Sequence, residues 1–144
     1  MVLVAIGREV CRIDNSGSVT CIGDVCGEIQ LAHYASKQAV ECVDGIEFNK
    51  EFVPFVVYGN PEIAWAGKRE QDFEEGTYKK SVLLISALGK SHCDNATEGF
   101  IKILSQNDEI VGIHIVSKEA SAMLQQVIIA MQNKISVSKL KEIC

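Results

Sequence analysis

The sequence predicts a mixed protein of the α/β (α+β) class, in which an antiparallel sheet is flanked by helices. Two apolar runs, 99–104 and 110–115, lie on either side of the polar turn at 106–108, which is typical of a β-hairpin. The segment 118–133 that follows has apolar residues at three- and four-residue spacing: Ala120, Met123, Leu124, Val127, Ile128 and Met131. This spacing predicts an amphipathic helix that packs on the sheet.

The N-terminal third of the chain predicts a strand, a tight turn and a helix. The apolar residues 2–6 read as a buried strand, and the Asn, Ser and Gly residues within 13–19 read as a tight turn into a returning strand at 19–22. A helix is predicted over 29–43, stopping at Asp44-Gly45. Its recurring apolar residues are Ile29, Leu31, Ala32, Ala35, Ala39, Cys42 and Val43.

Residues 45–52 read as a linker, and the remaining elements follow it. Around the hairpin, further strands are predicted at 53–58, 63–66 and 78–86. A short polar helix is predicted over 69–75, and a last helix begins near Ser136.

Composition narrows the class of function. The 144 residues are 47% hydrophobic with a net charge of −5, so the chain is long enough to bury a core and has no basic stripe for nucleic acid. No apolar stretch approaches membrane-spanning length. The six cysteines, without a secretory signal, predict reduced thiols in the cytoplasm or the mitochondrial matrix.

The pair Gly23-Asp24 is a candidate ligand site. A carboxylate at the end of a strand can accept hydrogen bonds from sugar-like hydroxyls, and a glycine before it lets a ligand approach the backbone. A simple turn has the same residues. The helix beginning near Leu31 to His33 would aim its positive end at the same place, although His33 also suits an ordinary helix position.

Two separated segments resemble dihydrolipoamide dehydrogenase, of the pyridine nucleotide-disulfide oxidoreductase family. The first is Cys21 to Val25 with Leu31-Ala32-His33 after it, and the second, more specific one is Pro61 to Gly67. Within the second, Trp65 is expected to pack in the core or in a dimer interface. The resemblance implies a short remnant of the NAD/FAD-binding region at 1–44, a linker at 45–52 and a dimerisation domain at 53–144, truncated before the family's His-Pro loop.

The resemblance also implies cofactor contacts and no metal. Asp24 would bind the ribityl hydroxyls of FAD, and Gly7 would approach NAD. The backbone beside the flavin would come from Gln30, Leu31, Ala32 and His33. The three histidines have no metal-ligand spacing.

The intact enzyme that the resemblance implies is a homodimer serving a 2-oxoacid dehydrogenase complex. It would oxidise dihydrolipoamide through a disulfide and FAD to reduce NAD. The family's N-terminal dinucleotide fingerprint, redox disulfide segment and His-Pro and Glu base motif have no counterpart in these residues, so we expect no catalytic residues and no activity from the chain alone. The alternatives are another flavin disulfide reductase, of mercuric or glutathione reductase type, and a non-catalytic dimerisation module.

Cys21 and Cys26 have the separation of the family's redox pair but not its surroundings. They bracket Gly-Asp at a strand-to-helix turn, whereas the family's pair follows a glycine-rich segment near the N-terminus. They are therefore predicted to be incidental thiols.

Overall fold

The computed structural model describes residues 20–27 and 29–143. The strand predicted at 2–6, Gly7 and the turn at 13–19 lie outside these residues. The chain divides into two compact units, with the boundary between Phe48 and Asn49.

The described part of the first unit is a 3-10 helix, Gly23–Cys26, followed by helix α1, Ala32–Asp44. Gly45 takes a left-handed conformation, and its N–H donates to the carbonyl oxygen of Glu41 at 3.0 Å. The helix therefore ends where the sequence predicts, with the capping geometry typical of a C-terminal glycine.

One prediction for this unit is wrong. Residues 20–22 form no strand, because the chain turns into the 3-10 helix at Gly23 and no described strand lies beside them. The buried face of α1 is formed by Tyr34 and Gln38, whereas Cys42 and Val43 at its C-terminal end are exposed. The helix that the apolar spacing predicts is confirmed.

The second unit contains a five-stranded antiparallel sheet, which confirms the predicted fold class. Its order is β1-β2-β5-β4-β3, so β5 is central and β1 and β3 are the edges. The strands are β1 (Phe55–Val57), β2 (Glu62–Gly67), β3 (Lys79–Leu84), β4 (Phe100–Gln106) and β5 (Glu109–Ser117).

The hairpin between β4 and β5 has the turn that its sequence requires. The two loop residues, Asn107 and Asp108, have φ of 51° and 68°. A two-residue loop with both residues in the left-handed region matches the right-handed twist of the flanking strands, and Asn and Asp tolerate that region better than most residues.

The helices of the second unit are α2 (Gly89–Cys93), α3 (Ala120–Gln132) and α4 (Val137–Leu140). Helix α2 was not predicted from the sequence. The polar helix predicted over 69–75 is only a 3-10 turn, Glu70–Asp72, because the Asp72 carboxylate accepts from the backbone N–H of Arg69 at 2.8 Å and closes the turn on itself.

The core lies between α3 and the face of the sheet formed by β2 and β5. The residues of α3 that are buried there recur every three or four positions, as the apolar spacing predicts. The buried cluster consists of Ala64, Ala66, Ile110, Ile113, Ile115, Ala120, Leu124, Ile128 and Met131.

Replacing Leu124 by Ala should lower the free energy of unfolding by about 3 kcal/mol, because it leaves a cavity in this core. Ile129→Ala on the exposed side of the same helix is the control and should change it by less than about 0.5 kcal/mol. Urea unfolding followed by the fluorescence of Trp65, the sequence's single tryptophan, measures both. Equal effects would contradict the assigned core.

Candidate functional site

In the first unit, Gly23 joins the 3-10 helix to α1. Its buried N–H donates to Oε1 of Gln38 on α1 at 2.7 Å, and its φ is +74°. A Cβ at this position would lie 3.1 Å from Cβ of Ala35. The glycine therefore serves close packing of the 3-10 helix on α1, and its N–H is used within the protein.

Asp24 follows immediately and is exposed. Its main-chain carbonyl accepts from the N–H of Gly27 at 2.9 Å, which closes the 3-10 turn. An exposed carboxylate on a turn fixed in this way can accept hydrogen bonds from the hydroxyls of a polyol chain.

The first turn of helix α1 contains no acidic side chain. Leu31 is extended, and the first helical hydrogen bond runs from the N–H of Ala35 to the carbonyl of Leu31 at 3.0 Å. Gln30 and His33 are exposed beside it. The macrodipole therefore favours an anionic group at this end of the helix.

The structure thus places Leu31, Ala32 and His33 together at one helix start, with Asp24 on the preceding turn. Gly7 lies outside the described residues. Cys21 lies two residues before this turn and Cys26 ends it, and both residues are partly buried.

In the second unit, Glu62 joins β2 to the start of α3. Its carboxylate accepts from the backbone N–H of Ser121 at 2.9 Å and from the Ser121 hydroxyl at 2.8 Å. These hydrogen bonds lower the pKa of Glu62, the backbone one most. A carboxylate at a helix N-terminus also interacts favourably with the macrodipole.

The side chains of the segment Pro61–Gly67 alternate between the two faces of the sheet. Ala64 and Ala66 are fully buried against α3, whereas Trp65 points to the opposite face and stacks on Phe55 of β1, with ring centroids 5.1 Å apart. The prediction that Trp65 packs is consistent with this contact.

Gly67 is the last residue of β2 and lies close to both β5 and α3. A Cβ there would collide with the carbonyl oxygen of Val111 and lie 2.8 Å from Cε of Met131 on α3. The small residues of this segment therefore allow α3 to approach the sheet closely.

The sheet face opposite α3 carries a polar cluster centred on Glu70. Its carboxylate accepts from Nζ of Lys102 at 2.6 Å, from Nζ of Lys80 at 2.8 Å and from the hydroxyl of Tyr78 at 3.4 Å. The hydrogen bonds from Lys102 and then Lys80 lower the pKa of Glu70 to about 2.

His114 lies in the same cross-strand row, with Trp65 opposite it on β2 and Lys102 opposite it on β4. Its Nδ1 is buried and has no hydrogen-bond partner. Burial lowers the pKa of His114, and the Lys102 cation lowers it further, while Glu70 acts in the other direction.

Sequence reasoning missed Gln38, Glu62 and Glu70. The partners of Gln38 and Glu62 are 15 and 59 residues away, and Glu70 bonds Lys102 across 32 residues. Local patterns do not contain such pairings. The position of Glu62 beside Pro61 in the most specific motif was the one available signal.

Within 20–27 and 29–143, no group of three or more His, Cys, Asp and Glu side chains could hold a metal ion. None of the helices in the described part of the chain is both long enough and apolar enough to cross a membrane.

Comparison with known proteins identifies the family of the second unit. Residues 53–144 match the family model of the pyridine nucleotide-disulphide oxidoreductase dimerisation domain. The chain therefore belongs to the pyridine nucleotide-disulphide oxidoreductase family.

Among its relatives are dihydrolipoyl dehydrogenases, as the resemblance predicted. The mitochondrial enzyme of Caenorhabditis elegans is 35% identical over 136 residues, and the human mitochondrial enzyme is 32% identical over 136. Dihydrolipoyl dehydrogenase 3 of Pseudomonas aeruginosa is 33% identical over 135 residues. Each alignment covers 88% of this chain but only 27–29% of the relative, so the chain spans less than a third of their length.

Solved structures agree on the fold. LpdA from Mycobacterium tuberculosis superposes with a TM-score of 0.76 at 24% identity, over 84% of this chain and 28% of that one. The HOCl-induced flavoprotein disulfide reductase RclA from Escherichia coli gives 0.75 at 19% identity, over 85% and 31%.

The environment of His114 predicts a loss of stability in mild acid. Its folded pKa lies below the ordinary value of 6.5, so the unfolded chain binds more protons as the pH falls through 6.5, and the free energy of unfolding decreases there. His114→Gln should flatten this slope, and His92→Gln, on α2, should not. Glu70 acts in a separate window, since its stabilisation is lost from 4.5 down to about 2.

Urea unfolding at a series of pH values, followed by Trp65 fluorescence, measures the slope. If the free energy of unfolding of His114→Gln depends on pH as steeply as that of the wild type, then His114 is not the source of the pH dependence.

Proposed function

We propose that this chain is part of a dihydrolipoyl dehydrogenase, whose intact form oxidises dihydrolipoamide through a disulfide and FAD and reduces NAD. The observation that carries the proposal is the alignment with curated dihydrolipoyl dehydrogenases over 88% of the chain. The match of residues 53–144 to the dimerisation domain of the family supports it.

The chain contributes two parts to that enzyme: a piece of the FAD site and the dimer interface. Residues 1–44 are the remnant of the nucleotide-binding region, 45–52 the linker and 53–144 the dimerisation domain. The family match beginning at 53 and the unit boundary at Phe48 support this division.

In the FAD site, Asp24 accepts hydrogen bonds from the ribityl hydroxyls. The start of α1, with backbone from Gln30 to His33, lies by the flavin and stabilises negative charge on it, and Gly7 approaches NAD. When bound, FAD supplies the electron transfer, and the protein supplies position and electrostatics. The exposed Asp24 carboxylate and the absence of acidic residues in the first turn of α1 are the structural features that fit this role.

The partners follow from the same proposal. A homodimer forms through the dimerisation domain, and the intact enzyme serves a 2-oxoacid dehydrogenase complex. The proposed location is the cytoplasm or the mitochondrial matrix, and the mitochondrial enzymes of Caenorhabditis elegans and human support the second.

A second candidate is a non-catalytic dimerisation module that binds no cofactor. The second unit favours it, because the described residues of its buried cluster all come from 64–131. Binding of FAD discriminates the two candidates.

The purified 144-residue chain should show no NAD-dependent oxidation of dihydrolipoamide above the rate without protein. Under this proposal, the redox disulfide segment and the His-Pro and Glu base motif of the intact enzyme have no counterpart in these residues, so no group is placed to receive electrons from the dithiol. NADH formation followed by absorbance, with an intact dihydrolipoyl dehydrogenase as positive control, measures this. Turnover by the chain would overturn the assignment of a partial enzyme.

Replacing Asp24 by Ala should weaken FAD binding by roughly ten-fold or more, because hydrogen bonds to a charged acceptor are lost. Asp44→Ala, an exposed aspartate at the other end of α1, is the matched control and should bind as the wild type does. Titration of FAD fluorescence with each protein measures the affinities.

Saturable binding that depends on Asp24 supports the FAD lobe. Binding unaffected by Asp24→Ala would contradict the role of that residue. No binding by the wild-type chain would favour the dimerisation module.

A further inference from the structure

Gln38 is the polar residue on the buried face of α1. It is 9% exposed, and Tyr34, which is buried on the same face, lies one helical turn earlier. Glutamine is mostly found at the surface, and a buried side-chain amide needs hydrogen-bond partners. The Oε1 atom of Gln38 accepts from the backbone N–H of Gly23 at 2.7 Å. The side chain therefore joins α1 to the turn on which Asp24 lies.

A second contact with α1 restrains the same glycine. A Cβ at Gly23 would lie 3.1 Å from Cβ of Ala35, so the backbone of Gly23 packs closely on the helix. Ala35 and Gln38 are three residues apart and therefore share one face of α1. The packing on Ala35 sets how near Gly23 lies to the helix, and the hydrogen bond to Gln38 sets the direction of its N–H.

Asp24 is the next residue, so its position depends on both contacts. Its carbonyl oxygen accepts from the N–H of Gly27 at 2.9 Å, which closes the 3-10 turn behind it. The backbone of Asp24 is thus held by a hydrogen bond on each side, one to α1 through Gly23 and one within the turn. The direction in which its exposed carboxylate leaves the turn follows from these two bonds.

Gln38 lies some distance along α1 from the end of the helix that the proposed FAD site uses. It follows Ala32, the first residue of the helix, by six positions. At 1.5 Å per residue this is a rise of about 9 Å. Gln38 therefore acts through the position of Asp24, and it fixes the turn relative to the helix start. Groups that bind one ligand need such support, because a site held too loosely loses affinity.

We propose that Gln38 is a positioning residue for FAD: by holding the Gly23 N–H, it sets the Asp24 carboxylate relative to the start of α1, so that both act on one ligand. The inference rests on the proposed function, in which Asp24 binds the ribityl hydroxyls of FAD. It adds the buried side chain on which that contact depends. The role requires an acceptor atom at position 38, so glutamate can replace the glutamine and leucine cannot.

A purely structural role for Gln38 predicts a different result. Without the acceptor, the Gly23 N–H is buried with no partner, which by itself destabilises the first unit. The loss of FAD affinity would then be the same whether or not Asp24 is present. Substitutions that act through one group are non-additive, whereas independent ones add. A double-mutant cycle with Asp24 therefore separates positioning from stability.

The test is FAD binding by the full chain and by four variants: Gln38→Leu, Gln38→Glu, Asp24→Ala and the double variant Gln38→Leu/Asp24→Ala. Leucine removes the acceptor and keeps a good helix former at this position, and glutamate keeps the Oε1 acceptor. Titration of FAD fluorescence gives each dissociation constant, and circular dichroism checks that each variant is folded.

Gln38→Leu should raise the dissociation constant for FAD by roughly ten-fold, and Gln38→Glu by less than about three-fold. When Asp24 is already alanine, adding Gln38→Leu should raise it by less than about three-fold, because the carboxylate to be positioned is gone. Equal losses in the two backgrounds, or weak binding by Gln38→Glu, would overturn the positioning role and leave the FAD lobe standing. A wild-type chain that does not bind FAD would overturn both.

Hydrogen exchange tests the same contact without FAD. The Gly23 amide should exchange at least roughly ten times faster in Gln38→Leu than in the wild type or Gln38→Glu, because its hydrogen bond is lost. The Gly45 amide, which donates to Glu41 at the other end of α1, is the control and should not change. An unchanged rate at Gly23 would overturn the proposal. An equal increase at Gly45 would also overturn it, since Gln38 would then stabilise the helix as a whole.

Discussion

The contact between α3 and the two central strands is the constraint on which the second unit depends. Ala64 and Ala66 have no exposed surface, and Gly67 has no room for a side chain, so the helix lies close to β2. Glu62 fixes the start of the helix through Ser121. The most specific segment of the sequence, residues 61–67, is therefore the strand that accepts this helix.

The two faces of the sheet therefore differ in character. One face is apolar and buried under α3, and the other carries the cluster in which Glu70 holds Lys80 and Lys102. The lysines are drawn together on that face by one carboxylate, and the last three residues of β3, Val82 to Leu84, carry no charge.

The sequence predicted the features that depend on local pattern. The β4–β5 hairpin, the stripe of α3 and the end of α1 at Gly45 each need only a few neighbouring residues, and each is found in the structure. Residues 20–22 form no strand because a 3-10 helix begins at Gly23, and the helix predicted over 69–75 is only the 3-10 turn Glu70–Asp72 because the Asp72 carboxylate accepts from the N–H of Arg69. In the candidate site, Asp24 could be singled out from sequence, but the hydrogen bond between Gly23 and Gln38 could not.

Native-state hydrogen exchange of the full chain tests most directly whether the β2, β5 and α3 packing governs the stability of this unit. The account predicts that the central amides of β5, β2 and α3 exchange last, with a free energy equal to that of global unfolding of the unit. Amides of β5 and β2 that exchange by smaller openings, while those of β1 or α2 remain protected, would contradict it.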